Sequence, residues 1–384
     1  MHNAKRGFVG LGAATIVAAG LISGGAAVAQ SPAASMAAAS AGSCTVGVSW
    51  NNFQQPRWAA RDKPAIQSTV EAGGGTYIDA DANLSTQQQI TDVNTLIQKG
   101  ANVIILLAQD NKAVGPALAA AAAAGVPVIA YDRLIEDPSI LYLTFDNVGV
   151  GKAEADAIIA KVPKGNYVLI TGDPGDPNAS TFLPSGWDLA GLKDKVASGD
   201  IKILANQSTD AWKTDVAQNN MEAIIDKANT DGNKIDAVLA ENDSTALGVV
   251  AALTAKNYGA VPVSGQDGDT ANLNNVAKGL QYVDVWKNAS NLGKVAGAAA
   301  LQLCAGTAMT AVTTPADLDP AAVPAAGTTA VPFTTPNGTT VSSLILTPTP
   351  ITADNLQLVL DAGWITKDDL CKGVDAATAP AACK

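Results

Sequence analysis

Histidine is almost absent: the single one in 384 residues is His2, in a stretch expected to be removed. What remains has no imidazole, which excludes Ser-His-Asp and Cys-His nucleophile pairs and any His-ligated zinc site. Basic runs are missing as well. The 24 Lys and Arg face 35 Asp and Glu, a net charge of −11, and removing Lys5 and Arg6 from the 24 leaves 22. A chain this acidic is a poor partner for nucleic acid or an anionic membrane surface. Long apolar runs are missing too. Gly7–Ile22 follows Lys5 and Arg6 and leads into Ala27-Val28-Ala29, the form of a signal peptide over residues 1–29 with a signal-peptidase site. It is too short to span a bilayer comfortably, and nothing later is longer and as apolar. Cysteine is scarce but even in number. In an exported chain Cys44, Cys304, Cys371 and Cys383 point to disulfides rather than metal. The competing reading makes Cys44 a lipid anchor, but Ala41-Gly42-Ser43 lacks the large aliphatic residue expected three positions before such a cysteine.

Removing the first 29 of 384 residues leaves 355, too many for one ordinary core and suited to two domains. Residues 30–43 are Ala/Ser-rich and aperiodic, a flexible leader. From Cys44 short β-rich runs alternate with helical stretches. Thr45–Trp50, Thr76–Ala80, Val103–Ala108, Val126–Tyr131 and Leu141–Phe145 read as strands, with helices at Thr86–Lys99 and Lys112–Ala124. Tyr167–Thr171, Ile201–Ala205, Ala237–Ala240, Val261–Ser264 and Tyr282–Trp286 continue the series. Such runs between amphipathic helices imply βαβ units and parallel sheets, and so many strands imply two sheets. Ala305–Pro350 is rich in Ala, Thr and Pro, with only Asp317 and Asp319 charged. It is expected to be largely an exposed loop, with a single strand at Val341–Leu346, followed by a helix at Thr352–Ala362.

The chain also echoes itself. Asn102-Val-Ile-Ile-Leu-Leu-Ala-Gln-Asp110 opens a unit that ends at Gly125-Val-Pro-Val-Ile-Ala-Tyr-Asp132. Ile235-Asp-Ala-Val-Leu-Ala-Glu-Asn-Asp243 opens one that ends at Ala260-Val-Pro-Val-Ser-Gly-Gln-Asp267. Two related α/β lobes follow, each doubly wound in the Rossmann manner.

In parallel α/β sheets ligands lie beyond the carboxyl ends of the strands. The polar residues there are Asp132, Arg133, Asp146, Asn147, Asp173 and Asn178, then Asn242, Asp243, Gln266, Asp267 and Lys287, with Trp58 and Trp212 close by. Sugar hydroxyls both donate and accept, so they need carboxylates, cations and amides together, while the C–H faces of the ring pack on Trp. The bland alternative is that the Asp and Asn residues only cap helices. Asp79-x-Asp81-x-Asn83 begins like a calcium loop, but Leu84 and Ile90 stand where Gly and Glu are needed. Gly73-Gly74-Gly75 ends a helix rather than joining strand to helix, so it is no phosphate loop.

Tyr131-Asp-Arg-Leu-Ile135, Thr144-Phe-Asp-Asn147, Gly165-Asn-Tyr167, Lys234-Ile-Asp-Ala-Val238, Asn242-Asp243 and Ser264-Gly-Gln-Asp267 resemble strings of the periplasmic D-xylose-binding proteins and their relatives, the type I sugar-binding proteins of ABC importers. The resemblance runs from Val46 to about Leu303 and resumes from Pro336 through Thr347-Pro348. It departs at Asn51-Asn52 and Gln55-Pro56, and Ala305–Thr335 is extra. It implies the type I periplasmic binding protein fold, two Rossmann-like lobes joined by three hinge crossovers. The lobes are expected at 44–145 plus 288–345 and at 146–287 plus 346–384, with 305–340 an exposed loop on the first. By resemblance the ligand set is Arg57, Trp58, Asp132, Arg133, Asn178, Trp212, Asn242, Asp267 and Lys287.

The chain is therefore expected to be an exported, periplasmic or cell-surface protein and not an enzyme. It should work as a monomer without cofactor, binding xylose or a similar aldose and passing it to the membrane permease of an ABC importer. Two other roles compete: presenting the sugar to a chemoreceptor or sensor kinase, and a carbohydrate enzyme built on Asp243 and Asp267. Within the two-lobe arrangement, Cys44–Cys304 and Cys371–Cys383 is the pairing that keeps each bridge inside one lobe.

Overall fold

The computed structural model describes residues 44–384 except 317 and 319–323. The expected signal peptide 1–29 and leader 30–43 lie outside the described residues, as do Asp317 and Asp319. The first stretch runs β1 (Thr45–Trp50), α1 (Lys63–Ala72), β2 (Thr76–Asp81), α2 (Thr86–Gln98), β3 (Val103–Leu106), α3 (Gly115–Ala123), β4 (Val128–Tyr131) and β5 (Ile140–Phe145). Then come α4 (Asn147–Lys161), β6 (Gly165–Thr171), α5 (Leu183–Leu189), α6 (Leu192–Ala197), β7 (Ile201–Ser208), α7 (Thr214–Thr230), β8 (Ala237–Ala240), α8 (Asp243–Ala255), α9 (Thr270–Lys278) and β9 (Asp284–Trp286). The last part is α10 (Ala289–Cys304), β10 (Val331–Thr334), β11 (Thr340–Leu346), β12 (Thr349–Ile351), α11 (Gln357–Asp361) and α12 (Lys367–Leu370).

The strands form two sheets. One has the order β10-β11-β5-β4-β3-β1-β2, parallel except for β10. The other begins β7-β6-β8 and continues through parallel bridges Val238–Val263 and Gln266–Val285 to β9 and antiparallel β12. Renumbered within each sheet, both read 2-1-3-4-5, so the echo in the sequence is an echo in topology. The chain passes between sheets after β5, after β9 and after β11.

Alternation along buried strands explains the layering. In β3, Val103 and Ile105 pack toward Ile66 and Val70 of α1 and Leu292 and Val295 of α10; Ile104 and Leu106 pack toward Val93 and Leu96 of α2 and Ala117 and Ala121 of α3. In the second sheet Tyr167 and Leu169 meet Val150 and Ile158 of α4, whereas Val168 and Ile170 meet Met221 and Ile225 of α7. Each of these large apolar side chains contributes about 1.5–3 kcal/mol by leaving water.

Three expectations need correction. Val261–Ser264 is not a continuous strand, because the Ser264 hydroxyl intercepts the ladder, accepting from Ala240 N at 2.9 Å and donating to Ala240 O at 2.9 Å. The expected helix Thr352–Ala362 starts only at Gln357, since Asn355 Oδ1 accepts from Thr352 N and holds a turn there. Ala305–Pro350 carries more than the one expected strand, although most of its described residues before Val341 are exposed. It supplies β10 as well as β11, and Val312 and Leu318 join the core of the first sheet. Its backbone is satisfied without charges: Gln302 both donates to Thr313 O and accepts from Thr313 N. Disulfides join Cys44 to Cys304, at the start of β1 and the end of α10, and Cys371 to Cys383 near the C-terminus.

Candidate functional site

The carboxyl ends of both sheets face each other across a chamber with about 310 Å³ of empty space. Gln55, Arg57 and Trp58 follow β1, and Asp132 and Arg133 follow β4. From the other side come Asp176 and Asn178 after β6, Trp212 after β7, Asn242 after β8, Gln266 and Asp267 after the bridge at Val263, and Lys287 after β9. All nine residues of the expected ligand set therefore line one chamber.

Arg57 organises one wall. Its Nε and Nη2 donate to the two oxygens of Asp62 at 3.2 and 2.9 Å, and Tyr131 Oη donates to Asp62 Oδ1 at 2.6 Å. Its Nη1 reaches Asp267 Oδ1 at 2.9 Å and lies 3.3 Å from Asp132 Oδ1. Burial alone would lower the guanidinium, but Asp62, Asp132 and Asp267 hold it well above its usual value. Burial pushes Asp62 up to about 6 against the pull of Arg57, so the pair is ionised at neutral pH. The guanidinium also stacks 4.2 Å from the centre of the Trp58 ring, whose Nε1 donates to Gln55 Oε1. On the other side Arg133 Nε pairs with Asp176 Oδ2 at 2.9 Å. Burial raises the Asp176 carboxyl although Arg133 opposes it.

Backbone geometry aims several of these groups. Asp132 (φ 61°), Trp212 (φ 58°) and Asp267 (φ 110°) occupy the left-handed region, where a non-glycine residue costs about 1–3 kcal/mol and must be held by its surroundings. Asp132 N donates to Leu143 O, and Asp132 O accepts from Thr144 Oγ1. Asp173 Oδ2 accepts from Ala211 N, fixing the turn that presents Trp212. Gly172 lies under that indole, and a Cβ there would come within 2.2 Å of the ring. Each sheet also begins its first helix with a five-residue π-turn, Trp58–Asp62 and Asn178–Phe182, which carries site residues.

The bland reading holds for part of the weighed inventory. Asp146 caps α4, accepting from Gly149 N, and Asp243 Oδ2 accepts from Asp269 N behind the chamber. Asp243 is thus no partner of Asp267 across a substrate. Asn242 does both jobs: its Oδ1 caps α8 through Thr245 N, and the residue still lines the chamber. Gln55 and Asp176 were not anticipated. Asp176 sits in Asp173-Pro-Gly-Asp-Pro-Asn178, a string whose turn chemistry hides a buried ion pair.

The conformation is closed. Arg57 meets Asp267, Arg133 meets Asp176, and Asn178 Nδ2 donates to Asp132 O at 3.4 Å, each contact joining loops of different sheets. Within the chamber Gln266 Oε1 and Trp212 Nε1 are buried without a hydrogen-bond partner in the protein, and Asp132 Oδ1 has the Arg57 guanidinium 3.3 Å away but no hydrogen bond. Such groups cost about 1–3 kcal/mol each unless something polar meets them.

The pattern of the periplasmic binding protein domain matches residues 46–308. The D-xylose-binding periplasmic protein of Escherichia coli (strain K12) is 34% identical over 279 residues, covering 72% of this chain and 83% of that protein. The multiple sugar-binding periplasmic receptor of Rhizobium radiobacter is 30% identical over 273 residues, 65% of this chain and 75% of that one. An ABC transporter solute-binding protein from Clostridium phytofermentans, solved with bound β-D-glucose, aligns with a TM-score of 0.74 at 32% identity, covering 85% of this chain and 99% of that chain. With the two matched sheets and the chamber between their carboxyl ends, these likenesses lead to one conclusion: the chain belongs to the periplasmic binding protein family, as a binding protein and not an enzyme.

Proposed function

We propose that this chain binds a neutral monosaccharide, an aldopyranose such as xylose or glucose, and delivers it to the membrane permease of an ABC importer. The two lobes are residues 44–145 with 288–345 and residues 146–287 with 346–384; they close on the sugar about the three crossovers. The chain acts outside the cytoplasm, as an exported periplasmic or cell-surface monomer.

The observation that carries the reading is the charge balance of the chamber. Asp132, Asp176 and Asp267 face Arg57, Arg133 and Lys287, and Arg57 is already engaged by three carboxylates. No cation is left over for a carboxylate or phosphate ligand, yet acceptors and donors of both charges surround a small space. Hydroxyls of a neutral ring suit that arrangement, since each donates to a carboxylate and accepts from a cation or amide. Trp58 and Trp212 add apolar faces. The names of the relatives, which bind xylose or several sugars, support the same class. One of them is called a receptor, which favours sensing as the second reading.

A thermal-shift screen over pentoses, hexoses, polyols, sugar acids and sugar phosphates tests the proposal. Neutral pyranoses should raise the melting temperature and the anionic sugars should not. Stabilisation by a uronic acid or a phosphate alone would refute it.

A further inference from the structure

We propose that Arg61 and Trp364 form a closure latch outside the chamber that also positions Asp267. The turn Asp267-Gly268-Asp269 takes two consecutive left-handed conformations, φ 110° and 80°. It needs external support. Gly268 N donates to Asp284 Oδ1 at 3.1 Å, Asp269 N donates to Asp243 Oδ2 at 2.7 Å, and Gly268 O accepts from Trp364 Nε1 at 2.6 Å. Trp286 packs directly on Gly268 and meets Trp364 edge-on, ring centres 5.4 Å apart. Trp364 therefore braces the backbone that aims the Asp267 carboxylate.

The other lobe grips that brace. Arg61 follows Arg57 by four residues, so both side chains leave the same face of the helical turn after β1. Arg57 reaches the Asp267 carboxylate; the Arg61 guanidinium lies 4.3 Å above the Trp364 ring and its Nη2 donates to Trp364 O. Neither Arg61 nor Trp364 lines the chamber. Their contact exists only when the lobes are together, so it favours the closed state with or without ligand, and it slows ligand escape. The role at Asp267 rests on the sugar-binding reading; the closing role does not.

The test uses the full exported chain and three variants, Arg61→Ala, Arg61→Lys and Trp364→Phe. Small-angle scattering of the ligand-free proteins comes first: Arg61→Ala should give the larger radius of gyration. Stopped-flow tryptophan fluorescence with D-xylose and D-glucose follows. Release from Arg61→Ala should be about tenfold faster, with association changed less than about twofold. Arg61→Lys, which keeps the charge but loses the flat stack, should fall between. Trp364→Phe keeps a ring and loses the N–H, and it should weaken binding with no loss of ligand-free melting temperature beyond that of other buried Trp→Phe changes. Identical scattering for wild type and Arg61→Ala, or release rates within twofold of each other, overturns the latch. A wild type that binds neither sugar while the scattering difference persists removes the sugar reading and leaves the closing role standing.

Discussion

Arg57 and Asp267 touch each other across the chamber, yet their removal should have different consequences. Arg57 is buried and bonded to Asp62 at one end and Asp267 at the other. Arg57→Leu would leave Asp62 buried without its counter-ion, a loss of about 3–5 kcal/mol in unfolding free energy on top of lost binding. Asp267→Ala removes an acceptor at the edge of the chamber. Its expected effect is at least a tenfold rise in the dissociation constant by calorimetry, since a charged hydrogen bond contributes about 1.5–3 kcal/mol. Unchanged affinity would take Asp267 out of the site. Asp267 was legible in the sequence because it follows a strand-like run, whereas Arg57, seven residues beyond β1, was reached only through the family resemblance. Asp62 and Asp176 were not legible, because one sits inside a helix and the other inside a turn string, and only the folded chain brings an arginine to each.

Gly172 illustrates what an element asks of its neighbours. It follows β6 directly beneath Trp212, and the indole fills the space a Cβ would need. Gly172→Ala should tilt that ring, lowering sugar affinity and quenching less fluorescence on binding, with modest loss of stability. An alanine variant with wild-type affinity would show that Trp212 does not face the ligand. The Cys371–Cys383 bridge closes a short loop behind Trp364, and replacing both cysteines by serine should cost about 3 kcal/mol at most in a denaturant melt. Element order was largely readable from the alternation of buried runs and helices. The failures were local: Ser264 takes over ladder bonds at its strand, and the Ala/Thr/Pro-rich segment adds a second strand and anchors itself through Val312 and Leu318 rather than by an obvious apolar stripe.

At the scale of the molecule, buried carboxylates set the response to pH. Burial pushes Asp62 to about 6 and, with the charge of Asp267, Asp269 to about 7; it also raises Asp176, Asp243, Asp284, Glu154 and Glu241. The folded chain therefore holds protons that the unfolded chain releases near pH 4. Stability from these groups is fully present below about 4 and is lost as pH rises through about 6 and 7, because the folded state binds more protons across that window. The melting temperature should be higher at pH 5 than at pH 8. The reverse order would mean that these carboxylates stay ionised in the fold.

The two-lobe architecture makes closure the central claim. A sugar bonded to Asp132 and Arg133 on one lobe and to Asn178, Asn242 and Asp267 on the other interacts fully only with the closed form. Shifting an equilibrium from mostly open to mostly closed takes about 5 kcal/mol of differential binding, within reach of several charged hydrogen bonds and a stacked indole. The most direct measurement is small-angle scattering of the wild-type chain with and without a saturating neutral pyranose that binds it. The radius of gyration should fall when the sugar is added. Tight binding with an unchanged radius would contradict hinge closure and point to a rigid pocket.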